Sequence, residues 1–231
     1  MKIISIGCNC DVGFFIKRIC NKEYYPFDWI WSNIDFVINT FEKDHFEFTE
    51  CEKLNFNCDT KSKHTYISND IDEKMSSALS VHYADSQTKN EYLKNIPMIN
   101  NKYKRRFKRL YDLLNSNEEI ILIRKVLDKK QNAIEKNYDS NEKLNYLSEL
   151  LSKKFKANIK ICVIDNENFI QKDSLKENIK LFCSFNELYF YLNNLYFKNI
   201  QSTTNFQLRK INFTFFKQVI MAIQQNNFVN K

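Results

Sequence analysis

The residue of this sequence best placed to do covalent chemistry is Cys10. It follows a short apolar run, residues 2–6, and a glycine, and it precedes a helix-spaced segment, residues 11–20. A strand, a tight turn and a helix in that order put a thiol at a helix N-terminus. Backbone N–H groups and the helix dipole favour the thiolate there. Such a thiolate can attack an acyl carbon, and the N–H of Cys10 or Asp11 can help hold the resulting oxyanion. Asp11 works against this, because a neighbouring carboxylate raises a thiol pKa. The competing reading is a cysteine packed at a strand end.

A cysteine nucleophile needs a base. The histidines are His45, His64 and His82. His82 is preferred, because it closes a candidate short strand, residues 78–82, and strand ends are where sites form in parallel sheets. Asp28, inside Pro26-Phe27-Asp28-Trp29, is a carboxylate wedged among aromatics. It either caps the next segment or is buried where it can orient the histidine or pair with Arg124. The run Lys102-Tyr103-Lys104-Arg105-Arg106-Phe107-Lys108-Arg109 is basic with interleaved aromatics. The aromatics fall on the apolar side, so the charges read as a solvated face that can also hold an anion. Cys8 and Cys10 with Cys51 and Cys58 do not match a zinc spacing, so no metal is expected.

The elements that position these residues follow from periodicity. Apolar runs at residues 2–6, 119–124, 159–164 and 179–183 read as buried strands. Helical spacing marks residues 11–20, 34–41, 101–114, 144–155, 185–195 and 206–224. Residues 50–77 are polar with weak periodicity and read as an irregular insertion. Alternating strands and helices imply a three-layer α/β domain with a mainly parallel central sheet. Residues 2–6, 119–124 and 159–164 are expected as its inner strands, and residues 1–231 as one domain.

Composition narrows the class. The only glycines among 231 residues are Gly7 and Gly13, which flank the Cys8-Asn9-Cys10 turn. A phosphate-binding loop, a dinucleotide fingerprint and a serine nucleophile elbow are therefore excluded. Seven cysteines, an odd and scattered set, suit reduced thiols. Cys20, Cys162 and Cys183 are expected in the core. No apolar run is long enough to span a membrane, and no signal peptide is apparent, so the expected location is the cytoplasm. The net charge of +7 favours anionic partners moderately.

The stretches Ile4-Ser5-Ile6-Gly7-Cys8-Asn9-Cys10 and Tyr25-Pro26-Phe27-Asp28-Trp29 resemble an uncharacterised family of papain-like cysteine peptidases. Its members show a strand, a G-x-x-C turn, a helix and a Pro-Phe-Asp-Trp element. A later histidine, a Tyr-x-x-Arg basic helix and a strand ending in Arg correspond here to His82, to Tyr103 with Arg106 and Arg109, and to Arg124. The family spacing picks Cys10 over Cys8 as nucleophile. The same turn is similar to the Gly-Asn-Cys turn of coenzyme-A-binding capsule-polysaccharide acetyltransferases. That likeness implies acyl transfer as much as peptide hydrolysis, with coenzyme A as the acyl donor in the transfer case and no required cofactor.

The expected protein is therefore a cysteine-nucleophile hydrolase or acyltransferase. Cys10, His82 and Asp28 are its catalytic residues. Asn9, Tyr103, Arg106, Arg109 and Arg124 hold the substrate or its anionic group. The substrate is a small molecule, glycan or peptide. Two alternatives stand beside it: a papain-like α+β fold, and a non-enzymatic module whose basic helix, residues 102–109, binds an anionic partner without sequence preference for nucleic acid.

Overall fold

The computed structural model describes residues 1–7, 10–19, 23–28, 32–44, 54–59, 64–69, 77–81, 89–126 and 139–202. By compactness the chain divides into Met1–Tyr189 and Phe190–Lys231. Of the second unit only residues 190–202, the end of a helix, are described, so the expected helix at 206–224 lies outside the described residues.

The first unit is built on four parallel strands, β1 (Lys2–Ser5), β5 (Glu119–Lys125), β6 (Asn158–Ile164) and β7 (Ile179–Phe182), in the order β1-β5-β6-β7. In β5 the run Ile120-Ile121-Leu122-Ile123 is wholly buried. A strand covered on both faces needs such an unbroken apolar run. β1 lies at the edge of this sheet, not in its interior as expected. Its Ile4 and the following Ile6 are nonetheless fully buried.

Strand parity separates the two covering layers. Ile4, Ile6, Ile120, Leu122, Ile159 and Ile161 join one cluster with α2 (Ile34–Lys43), α3 (Lys89–Leu114) and α4 (Asn141–Lys154). The residues of opposite parity, Ile121, Ile123, Cys162 and Ile164, are equally buried. On that side α1 (Cys10–Ile19) packs on β1 and β5, with Val12 and Ile16 inward. Phe15 of α1 meets Phe185, the first residue of α5 (Phe185–Ser202), at 4.9 Å between ring centroids. The architecture is thus the three-layer α/β arrangement, with parallel rather than papain-like α+β order in the sheet.

Local chemistry sets the helix ends. Asn33 caps α2, its side-chain oxygen accepting the Phe36 N–H at 2.8 Å, and Asp44 closes it in the left-handed region. Ser140 caps α4 by accepting the Lys143 N–H. In α3 the side chains of Tyr103, Leu110 and Leu114 are buried at helical spacing, with the Arg106 guanidinium buried on the same side. The helix is longer than expected: it runs back to Lys89, through Pro97.

Residues 50–77 were expected to be irregular. Instead β2 (Leu54–Asp59) and β3 (His64–Asn69) are strands, and with β4 (Ser77–Val81), the strand expected at 78–82, they form an antiparallel meander in the order β2-β3-β4. β4 is therefore not a strand of the parallel sheet, whose strand ends are the basis for preferring His82. The reason is in the sequence: Leu54, Phe56 and Cys58 alternate with Asn55, Asn57 and Asp59, the period-2 signature of a half-covered strand. No helix of the described residues is long and apolar enough to cross a membrane.

The two glycines are each fixed by a close approach. Gly7 has φ of 87°, and a Cβ there would fall 2.1 Å from the Ser32 Oγ. A Cβ on Gly13 would fall 2.1 Å from the Asp28 carbonyl oxygen. Each glycine therefore allows a contact that a side chain would block. Replacing either by alanine is expected to cost about 2–3 kcal/mol, as overpacking does, read from urea denaturation. Adding Ser32→Ala should recover part of the loss in Gly7→Ala. No side-chain change should rescue Gly13→Ala, whose obstacle is backbone.

Candidate active site

The carboxyl end of the sheet gathers four segments around one side chain. Arg124, near the end of β5, is completely buried. Its Nε and Nη2 donate to the two carboxylate oxygens of Asp139 at 2.6 and 2.7 Å, a bidentate fork. Its Nη1 donates to the Ile6 carbonyl and its Nη2 to the Ser32 carbonyl, each at 3.2 Å. The end of β1, the approach to α2, the end of β5 and the approach to α4 are thereby tied to one planar group.

The turn that leads to Cys10 starts from this anchor. The Gly7 N–H donates to the Ser5 Oγ at 3.2 Å, so the Ile6–Gly7 peptide unit is held through both its oxygen and its nitrogen. Cys10 is the first residue of α1. The next residue, Asp11, is paired with Lys125 at 2.8 Å. That ammonium offsets the unfavourable effect of the Asp11 carboxylate on a neighbouring thiolate. Asp11 is a first-turn residue of α1.

The turn at residues 25–28 lies against the same helix through Gly13. Phe27 anchors it. Fully buried, its ring packs edge-on to Phe36 of α2 at 6.4 Å and to Phe107 of α3 at 5.9 Å. Asp28 is consequently buried, and its carboxylate accepts the Tyr25 N–H at 2.6 Å. Burial pushes its pKa up to about 7, against the lowering effects of that N–H and of the Arg106 charge. A buried carboxylate whose pKa is raised toward neutrality, in the turn packed on α1 at Gly13, is of the kind suited to proton transfer.

The basic helix reaches this turn too. The Arg106 guanidinium is buried between two rings, 5.4 Å from the centroid of Tyr24 and 5.5 Å from that of Tyr103. Arg109 donates to the Tyr24 carbonyl at 2.9 Å. Lys104, Arg105, Lys108 and Arg109 form the exposed face.

The structure thus brings Asp28, Tyr103, Arg106 and Arg109 together, and it puts Arg124 under the Gly7 turn. The expected anion-binding role does not suit Arg124, which is closed off from solvent and engaged by Asp139 and two carbonyls. Tyr103 and Arg106 are likewise buried, and of the described residues expected to hold substrate only Arg109 is exposed. Asn9 and His82, with Cys8, Cys20, Cys51 and His45, lie outside the described residues, as do the side chains of Cys10, Cys58 and His64. Asp165, at the end of β6, accepts the N–H groups of Glu167 and Ile170, which closes a turn. Cys162 is buried, its thiol pushed up to about 12 by burial. Cys183 was expected in the core but is exposed, because it follows the last residue of β7. Among the described residues no cluster fit for a metal ion occurs.

Sequence reasoning missed Asp139. The acidic residues Asp128 and Glu135 precede it, and only its position directly before the Ser140 cap hints that it is fixed.

A family model described as "Putative papain-like cysteine peptidase (DUF1796)" matches residues 1–168. An uncharacterised protein, R408, of Acanthamoeba polyphaga mimivirus is 26% identical over 195 residues, covering 75% of this chain and 83% of that protein. No solved structure matches.

Asp28 makes a pH prediction. Its native pKa is raised, so the folded protein binds a proton more tightly than the unfolded chain, and stability falls as pH rises from about 4 to about 7. Asp28→Asn should remove that slope. It should be more stable than the unsubstituted protein at pH 8, by about 2 kcal/mol or more, with the gap closing near pH 4. Equal slopes in urea-melt stability across this range would refute it.

Proposed function

The chain belongs to the family described as "Putative papain-like cysteine peptidase", and from that membership we propose a hydrolase or acyl-transfer enzyme whose nucleophile is Cys10. Membership supports a cysteine-dependent enzyme; the assignment to Cys10 is our reading. The observation that carries it is the position of Cys10 as first residue of α1, after a turn pinned at Gly7. Helix N-termini stabilise thiolates. One helical turn onward, at Gly13, the backbone of Asp28 reaches the helix, and residues three apart share a helix face.

In the proposed reaction the Cys10 thiolate attacks a carbonyl carbon and forms a C–S bond, with backbone N–H groups holding the oxyanion. His82 accepts the thiol proton and passes it to the leaving amine, alcohol or thiol as the C–X bond breaks. Water, or another acceptor, then attacks the acyl-thioester and releases Cys10. Asp28 orients the histidine or shares its proton. Asn9, next to Cys10 in sequence, helps hold the substrate or its anionic group. Arg109, with the Arg106 charge behind it, draws an anionic part of the substrate, such as a carboxylate or phosphate. The family description favours a peptide; a thioester of coenzyme A is the corresponding donor if the acyl group is transferred.

Limited alkylation with iodoacetamide at about pH 6.5, read by peptide mass spectrometry, tests this. Cys10 should label fastest, and His82→Ala should slow it. Cys183 provides the rate of an exposed thiol, and Cys162 that of a core thiol. Cys10→Ser should abolish turnover of acyl or peptide substrates. Labelling of Cys10 no faster than Cys183 would remove it as nucleophile, and retained turnover in Cys10→Ser would do the same. Salt-sensitive binding of a polyanion that ignores Cys10 would instead favour a binding module using the exposed face of α3.

A further inference from the structure

We propose that the Arg124–Asp139 pair is a positioning device for the nucleophile, setting the reactivity of Cys10 through the Ile6 and Ser32 carbonyls rather than by touching substrate. The inference rests on the reading of Cys10 as nucleophile. Three observations carry it.

The first is the cost of the pair. A fully buried ion pair stabilises a fold weakly or not at all compared with apolar side chains of similar size. The ion pair by itself therefore gives little reason for Arg124 to be here; what distinguishes the residue is its bonds to the Ile6 and Ser32 carbonyls. A well-packed apolar residue at the end of β5 would continue the strand's own pattern of Ile120 to Ile123.

The second is what an apolar residue could not do. The Ile6 and Ser32 carbonyls both accept from this guanidinium, and a fork fixed by a bidentate carboxylate presents its remaining edge in one orientation only. Asp139 sets the guanidinium plane, and the guanidinium sets the two carbonyls. One carbonyl belongs to the peptide unit whose N–H is held by the Ser5 Oγ. The other belongs to the residue whose side chain packs against Gly7. Both contacts fall on the few residues that lead from β1 into α1.

The third is the next residue. Lys125, adjacent to Arg124 on β5, holds Asp11 on the far side of Cys10. Consecutive side chains at the end of one strand thus grip the chain before and after the turn. The Lys125–Asp11 pair is partly exposed and screened, so it is the weaker grip. The buried pair supplies the precision that a site needs, and a displacement of about 1 Å there costs activity heavily.

The test uses the full chain with its own thiols as reporters. Arg124→Met combined with Asp139→Leu removes both charges and leaves no buried ion unpaired. Arg124→Lys keeps the charge but loses the fork. In both variants the iodoacetamide rate of Cys10 at about pH 6.5 should fall at least tenfold, and the midpoint of its pH profile should rise by about one unit. Cys183 should keep its rate, and Cys162 should stay protected. A Cys10 rate and profile unchanged in the double variant, with Cys162 protected, would overturn the inference while leaving Cys10 as nucleophile. Loss of Cys162 protection in both variants would make the pair a fold element only and overturn it equally. If Cys10 of the unsubstituted protein labels no faster than Cys183, the nucleophile reading itself fails, and the positioning role falls with it.

Discussion

One guanidinium fixes how this fold ends at its working face. Parallel strands leave their last carbonyls pointing away from the sheet, where segments from both covering layers must pass. The segment from α1 to α2 makes that passage here, from the layer over Ile121 and Ile123 to the layer over Ile120 and Leu122. Ser32, at its end, meets both Gly7 and Arg124. A buried carbonyl without a donor costs roughly 1–3 kcal/mol. Arg124 donates to the Ser32 carbonyl at the end of the crossing and to the Ile6 carbonyl after β1, and Asp139 neutralises the charge this brings into the interior.

The glycines and Phe27 complete the same constraint from above. Gly7 lets Ser32 sit on the turn, and Gly13 lets the Asp28 backbone sit on α1. Phe27, locked among Phe36, Phe41 and Phe107, decides where Asp28 ends up. The carboxylate then has little water and one short N–H bond, and burial outweighs both that bond and the Arg106 charge. Its unusual titration is therefore a consequence of aromatic packing. Any residue change that loosens Phe27 should act on Asp28 before it acts on Cys10.

The sequence was most legible where a single pattern dominated. Unbroken apolar runs gave β5, β6 and β7, and helical spacing gave α1, α2, α4 and the latter half of α3. The glycine pair marked the site, because a chain that avoids glycine uses it only where contact geometry demands it. Other features depended on tertiary contacts that no local pattern encodes. The edge position of β1 follows from pairing order. The extension of α3 to Lys89 overrides the warning that Pro97 gives. Of the meander at residues 54–81, β4 was expected as a short strand, whereas β2 was readable by alternation but masked by its polar composition. Asp139 and the closure of Arg124 required knowing which loops meet at the sheet end. An arginine at a strand end reads equally well as a ligand for substrate or as a ligand for backbone.

The basic helix shows why that last ambiguity matters. Tyr103, Arg106 and Arg109 recur at a spacing of three, so they share one side of α3. Charge alone would make that side the anion-binding one. The structure divides it: Arg106 is sandwiched between rings and faces a carboxylate that is half neutral near pH 7, whereas Arg109 stays at the surface. Arg106 and Asp28 are electrostatically linked: burial raises the Asp28 pKa, and the Arg106 charge works against that rise. A buried arginine still acts on its neighbours through its field, and here the neighbour is Asp28, whose titration is governed first by burial.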